Sequence, residues 1–227
     1  MGTTRELPVL SKRPSRLELL REFDGADSEL AQALALLAGC GIDDPVALPV
    51  GVVDRLLLRA HRVMLGYDLE LIGACPACGV LNALPLGPDD VPAYAPRSAW
   101  CGPGAGLREP TPQDLLDLPA PTAAAGAVVA ARCAIGPDGA ARDPEALADA
   151  EQSLSGVVRG ACTECGGGIA ESVDVQQLVT SAIAAALAEA DVEVHLLASR
   201  YGWDLRTIEA LTEARRSRLA TLVRGGA

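Results

Sequence analysis

Two short stretches constrain this chain more than any others. Cys75-Pro76-Ala77-Cys78-Gly79 stands near the middle, and Cys162-Thr163-Glu164-Cys165-Gly166 repeats its form after the 83 intervening residues 79–161. Each is a Cys-x-x-Cys closed by Gly. Two thiolates at this spacing sit on one tight turn and grip one face of a metal ion, and a second such turn closes the tetrahedron. The pattern predicts one structural zinc held by Cys75, Cys78, Cys162 and Cys165. The gap is far longer than the roughly 15–20 residues of a compact zinc ribbon. A whole subdomain must leave the first turn and return to the second. Four Cys ligands leave no open coordination position, and metal catalysis depends on one. A thiol redox role is a weaker reading, because a reactive pair favours a helix start and both pairs here are flanked by apparent strands.

Seven cysteines make an odd count, and Cys40, Cys101 and Cys133 stand outside the two pairs. They read as small buried hydrophobes, with any further role left open. The first residues carry no apolar signal core, and no run of about 18 apolar residues suggests a membrane span. The expectation is a cytoplasmic protein with thiols kept reduced for metal. A net charge of −11 disfavours non-specific nucleic-acid binding and anionic membranes. With one Phe, two Trp and three Tyr, the core must come from Leu, Val and Ala. Two histidines, His61 and His195, leave little material for triad or histidine-metal chemistry. His61 reads as a surface or partly buried side chain and His195 as a core-edge one. Gly166-Gly167-Gly168 lacks the Lys-Ser/Thr of a phosphate loop and reads as an exit from the knuckle. No enzyme activity is expected.

The chain reads as α+β, in three stretches. Residues 1–49 form an arm and a short helix after Ser28. Residues 50–173 form the zinc-knuckle body. Its first helix carries Val52, Val53, Leu56, Leu57, Ala60, Met64 and Leu65 inside, with Asp54, Arg55, Arg59 and Arg62 on the wet face. Strands flank each cysteine turn. A Pro-rich insertion over about 85–125 resists regular structure, apart from an edge strand near Leu107 and a helical turn that starts at Thr111 or at Gln113-Asp114. Tyr94 and Trp100 are available to anchor it. Helices are expected over 123–133 and 144–155. Residues 174–227 form a three-helix unit. A long helix keeps an apolar stripe from Val175 to Tyr201, and two short ones follow Asp204 and Thr212.

The C-terminal helices also have the spacing of a helix-turn-helix, with Gly202 at the turn. Residues 200–224 hold six arginines against three acids, a local +3. A zinc-dependent helix-turn-helix transcriptional regulator is therefore the alternative reading.

Several segments carry a resemblance. Glu193-Val194-His195-Leu196-Leu197-Ala198-Ser199-Arg200-Tyr201-Gly202-Trp203, then Ile208-Glu209-Ala210-Leu211 and Arg215-Arg216, resemble the C-terminal signature of one protein family. Gly66-Tyr67-Asp68-Leu69-Glu70 before Cys75, Arg108-Glu109-Pro110-Thr111-Pro112-Gln113-Asp114-Leu115, and Arg132-Cys133 resemble its internal elements, in the same order. The family is that of baseplate-associated proteins of contractile-tailed phages and phage-tail-like contractile injection systems. The resemblance implies a baseplate component or an assembly factor for baseplate and tail hub, not an enzyme. Its partners would be baseplate or tail-hub proteins, with no nucleic acid or membrane. The protein would be cytoplasmic or incorporated into the phage-tail-like particle. Arg200, Trp203, Arg215, Arg216 and Arg218 are the expected partner-binding residues.

Overall fold

The structure, a computed structural model, describes residues 6–102, 105–116, 118, 123–136 and 144–225. The side chains of Trp100 and Cys101, and Pro103, Pro119 and Pro121 of the insertion, lie outside the described set.

Residues 6–15 run without regular structure and are tied down where Ser11 and Lys12 N–H groups donate to the Cys40 carbonyl. Helix α1 (Arg16–Asp24) follows, a helix absent from the sequence reading. Its signal was Ser15-x-x-Glu18, a reciprocal capping box in which each residue's side chain accepts the other's N–H. Helix α2 (Glu29–Gly39) starts under the Ser28 cap as expected.

Helix α3 (Val50–Leu65) is buried nearly all round. The expected wet face holds for Arg59 but not for Asp54 or Arg55, which are buried. The reason lies in what covers them. Asp54 accepts from the Ser153 hydroxyl at 2.7 Å and the Leu154 N–H at 2.8 Å. Arg55 donates to the carbonyls of Gly51, Pro92 and Gln152 at 2.7, 3.0 and 2.9 Å. The long-range loops bring polar partners that the 3.6-residue period cannot reveal. His61 is likewise buried, its Nδ1 bonded to the Tyr67 carbonyl at 3.0 Å.

Strands β1 (Leu69–Ala74) and β2 (Leu81–Leu86) form an antiparallel hairpin. The insertion then does build regular structure. Strands β3 (Ser98–Gly102), β4 (Ala105–Arg108) and β5 (Ala134–Ile135) make a sheet with β4 in the centre, so the expected edge strand is an inner one. Helix α4 (Pro112–Leu115) starts at Thr111, helix α5 (Ala123–Cys133) leads into β5, and helix α6 (Pro144–Ala150) ends before the expected residue 155. Leu107, Val129, Ala130, Cys133, Leu147 and Ala150 form the small core beneath this sheet. Tyr94 is buried as an anchor.

Strands β6 (Gly156–Ala161) and β7 (Gly168–Val173) form the second hairpin. Helix α7 (Val175–Tyr201) matches the predicted 27 residues, from the Asp174 cap to left-handed Gly202 at φ 66°. Helices α8 (Leu205–Glu209) and α9 (Glu213–Gly225) close the chain. His195 is exposed rather than core-edge; the buried neighbour is Glu193. In α9 Leu222 is exposed, and Ala220 takes the inner place. The main core unites Leu19 and Phe23 of α1, Leu36 and Leu37 of α2, α3, and Val175, Val179, Ile183 and Leu187 of α7. It thus draws on all three stretches of the chain, with α7 as the shared wall. No helix among the described residues is long and apolar enough to cross a membrane.

Candidate metal centre

Both cysteine turns cap hairpins, and the two hairpins are built alike. Gly73-Ala74-Cys75-x-x-Cys78-Gly79 and Gly160-Ala161-Cys162-x-x-Cys165-Gly166 share five of seven residues at matching places. In each, the first Cys N–H donates across the turn, to Val80 O at 2.9 Å and to Gly167 O at 2.8 Å. The closing Gly N–H returns to the first Cys carbonyl, at 2.8 and 3.0 Å. Gly79 and Gly166 have φ of 74° and 71°, the left-handed region that a Cβ disfavours. The Gly that ends each motif is what lets the turn close.

The hairpins meet at their tips. Cys75 Sγ lies 3.6 Å from Cys165 Sγ, and Cys78 Sγ lies 3.6 Å from Cys162 Sγ. All four sulfurs fall within 4.8 Å of one another. Sulfurs at about 2.3 Å from a central ion occupy a tetrahedron with edges of about 3.8 Å, so the cage has the right size. Cys75 and Cys162 are buried with Leu84 and Ile169, while Cys78 and Cys165 face outward. These four side chains could hold a metal ion. No other group of His, Cys, Asp or Glu among the described residues is placed to do so.

The electrostatics fit a cation. Backbone N–H groups of Cys165 and Glu164 bring Cys162 down to about 6, helped by Cys78 and Asn82. N–H groups of Ala77 and Cys78 lower Cys75 in the same way. The Val80 N–H would lower Cys78 too, but the neighbouring thiols of Cys165 and Cys162 outweigh it and push Cys78 up to about 12. Four thiolates this close repel one another; a divalent ion removes that conflict.

One residue absent from the sequence reading belongs here. Asn82 of β2 is buried between the knuckles. Its Oδ1 accepts from the Thr163 N–H at 2.9 Å and from the Thr163 hydroxyl at 3.1 Å. The signal available was its inward place in an alternating strand, where an amide requires partners.

Cys40 and Cys133 are buried, and burial pushes both thiols up to about 11. They behave as small hydrophobes. The Arg108–Leu115 element and Arg132 form a separate fastening. Arg108 holds Asp114 through both carboxylate oxygens at 2.7 and 2.9 Å. Thr111 donates to Asp114 through N–H and hydroxyl, both at 2.8 Å. Arg132 donates to the carbonyls of Asp114 and Leu116 at 2.8 Å. Next to it Glu109 is buried, accepting from the Gly51 N–H and the Tyr94 hydroxyl at 2.7 Å each.

Of the expected partner-binding residues, Arg200, Arg215 and Arg218 are exposed and Trp203 is half-buried, stacked on Tyr201 with ring centroids 4.9 Å apart. Arg216 is a correction. It is buried and paired with buried Glu193 at 3.0 Å, so it holds α9 on α7 and is not on the wet face. Helix α8, the second helix of the helix-turn-helix alternative, has five residues.

No family model, no curated protein and no solved structure matches this chain.

Proposed function

We propose that this chain is a non-enzymatic structural component or assembly factor of the baseplate or tail hub of a phage-tail-like contractile injection system. A structural zinc would join its two knuckles into a zinc-ribbon-like unit. Zinc is the ion of choice because a closed four-thiolate tetrahedron suits zinc or iron, and zinc adds no redox chemistry. Cys75, Cys78, Cys162 and Cys165 would hold it.

One observation carries the reading. The elements that resemble the baseplate-associated family lie at fasteners of the fold. The first knuckle enters the sulfur cage. Arg108, Thr111, Asp114 and Arg132 lock the three-stranded sheet to α4. The C-terminal signature spans the α7–α9 clamp. A building block or an assembly factor works by holding its shape. Exposed Arg200, Arg215 and Arg218 on a chain of net charge −11 suit an acidic protein surface. The short α8 leaves the regulator reading with little helix to place in a major groove.

The test is co-expression with the baseplate and hub subunits encoded beside it. The parent protein should co-purify with one of them. The variant carrying Arg200→Glu, Arg215→Glu and Arg218→Glu should fold normally and lose that subunit. Absence of association with every such subunit, or sequence-selective retention of a promoter fragment that weakens with salt, overturns the proposal.

A further inference from the structure

The two hairpins correspond residue for residue. Strand β1 matches β6 and β2 matches β7 at a constant offset, with Cys75 on Cys162 and Cys78 on Cys165. Every position of one hairpin therefore has a counterpart that serves as its internal control. The counterpart of Asn82 is Ile169, and both are buried against the sulfur cage.

The two counterparts do different things. The Asn82 Nδ2 donates to the Val80 carbonyl at 2.8 Å and lies 3.6 Å from the Cys162 Sγ. Its Oδ1 takes both donors of Thr163, inside the second knuckle. The Ile169 side chain has no polar atom and supplies Cys75 with nothing of the kind. Cys75 receives the N–H groups of Ala77 and Cys78, and Cys162 receives those of Glu164 and Cys165. Only Cys162 has an amide side chain as a further donor among the described residues.

We infer that Asn82 is a positioning residue of the sulfur cage that sets how long the metal stays. This rests on the metal reading above. Asn82 acts in two ways. Its Oδ1 fixes the Thr163 turn from the opposite hairpin, so the second knuckle keeps its ligand geometry through a strut anchored on the first. Its Nδ2–H draws charge from one sulfur of a cage whose four thiolates and one divalent ion carry a net −2. Partners outside the ligand set commonly change metal affinity 10–100-fold.

The experiment uses the full-length protein loaded with zinc, and measures release to a chromogenic chelator. Asn82→Ile installs the residue that the other hairpin uses at the same place. It should keep one zinc per chain and release it roughly 10–100-fold faster. Thr163→Val removes one of the two Oδ1 contacts and leaves the N–H···S contact, so it separates the roles. With cobalt(II) in place of zinc, Asn82→Ile should shift the sulfur-to-cobalt charge-transfer band, and Thr163→Val should leave it unmoved. Release within twofold of the parent together with an unshifted band overturns the inference. If Asn82→Ile does not fold, Asn82→Asp keeps an acceptor for Thr163 and loses the N–H donor, and the same two readouts decide. Should the parent protein itself bind no metal, it is the underlying metal reading that fails.

Discussion

Gly73 and Gly160 stand at the same place in their hairpins, two residues before the first cysteine, and each receives a side chain of the opposite hairpin. A Cβ on Gly73 would meet Glu171 Cγ at 2.8 Å and Ile169 Cγ2 at 3.0 Å, and one on Gly160 would press into Leu84 Cδ2. Leu84 and Glu171 are themselves counterparts. The sulfurs can meet only because the sheets behind them approach this closely.

Alanine at either glycine should therefore push the hairpins apart. Overpacking of this kind costs about 1–3 kcal/mol. Gly73→Ala and Gly160→Ala should each lose that much unfolding free energy in urea denaturation and accelerate metal release. Parent-like stability in both variants would mean that the hairpins are not held in close register.

The buried pair Glu193–Arg216 yields a second expectation. Glu193 also accepts from the Ser217 hydroxyl at 2.5 Å, so its carboxylate is partnered on both oxygens. Removing one partner of a buried ion pair leaves an uncompensated charge and costs about 3–5 kcal/mol. Arg216→Met should show that loss in chemical denaturation. Combining it with Glu193→Leu should recover a large part of it. A double variant no more stable than the single one would contradict a buried, mutually dependent pair.

Asp114 supplies a pH test. Burial alone would raise its pKa, but the Arg108 guanidinium and the two Thr111 donors outweigh that and bring it down to about 2. A carboxyl lowered on folding stabilises the protein above its unfolded pKa of about 3.9, and that contribution disappears as pH falls through the folded value. The Tm gap between the parent and Asp114→Asn should be widest near neutrality and shrink from about pH 4 to about pH 2. A gap that stays constant across that window would show that the carboxylate charge contributes nothing.

The cysteine turns, their hairpins and the long α7 were legible because their signals are local: spacing, alternation and a 3.6-residue stripe. What stayed hidden depends on residues far apart in sequence. Arg55 looks like a wet-face arginine until the Pro92 and Gln152 carbonyls arrive. Arg216 looks like a surface cation until Glu193 of another helix meets it. Prolines obscured the three-stranded sheet, because β4 takes its second neighbour from β5, far along the chain. Asn82 required knowledge of which knuckle faces it. Helix α1 was legible too, since its capping box is written in nearby residues, Ser15 and Glu18.

The metal centre requires four sulfurs from two distant hairpins to share one ion. Elemental analysis of the purified full-length protein, paired with thiol titration under native conditions, tests this most directly. One zinc per chain is expected, with Cys75, Cys78, Cys162 and Cys165 shielded until a chelator is added. Well under one equivalent of metal, with those four thiols freely titratable from the start, would contradict it.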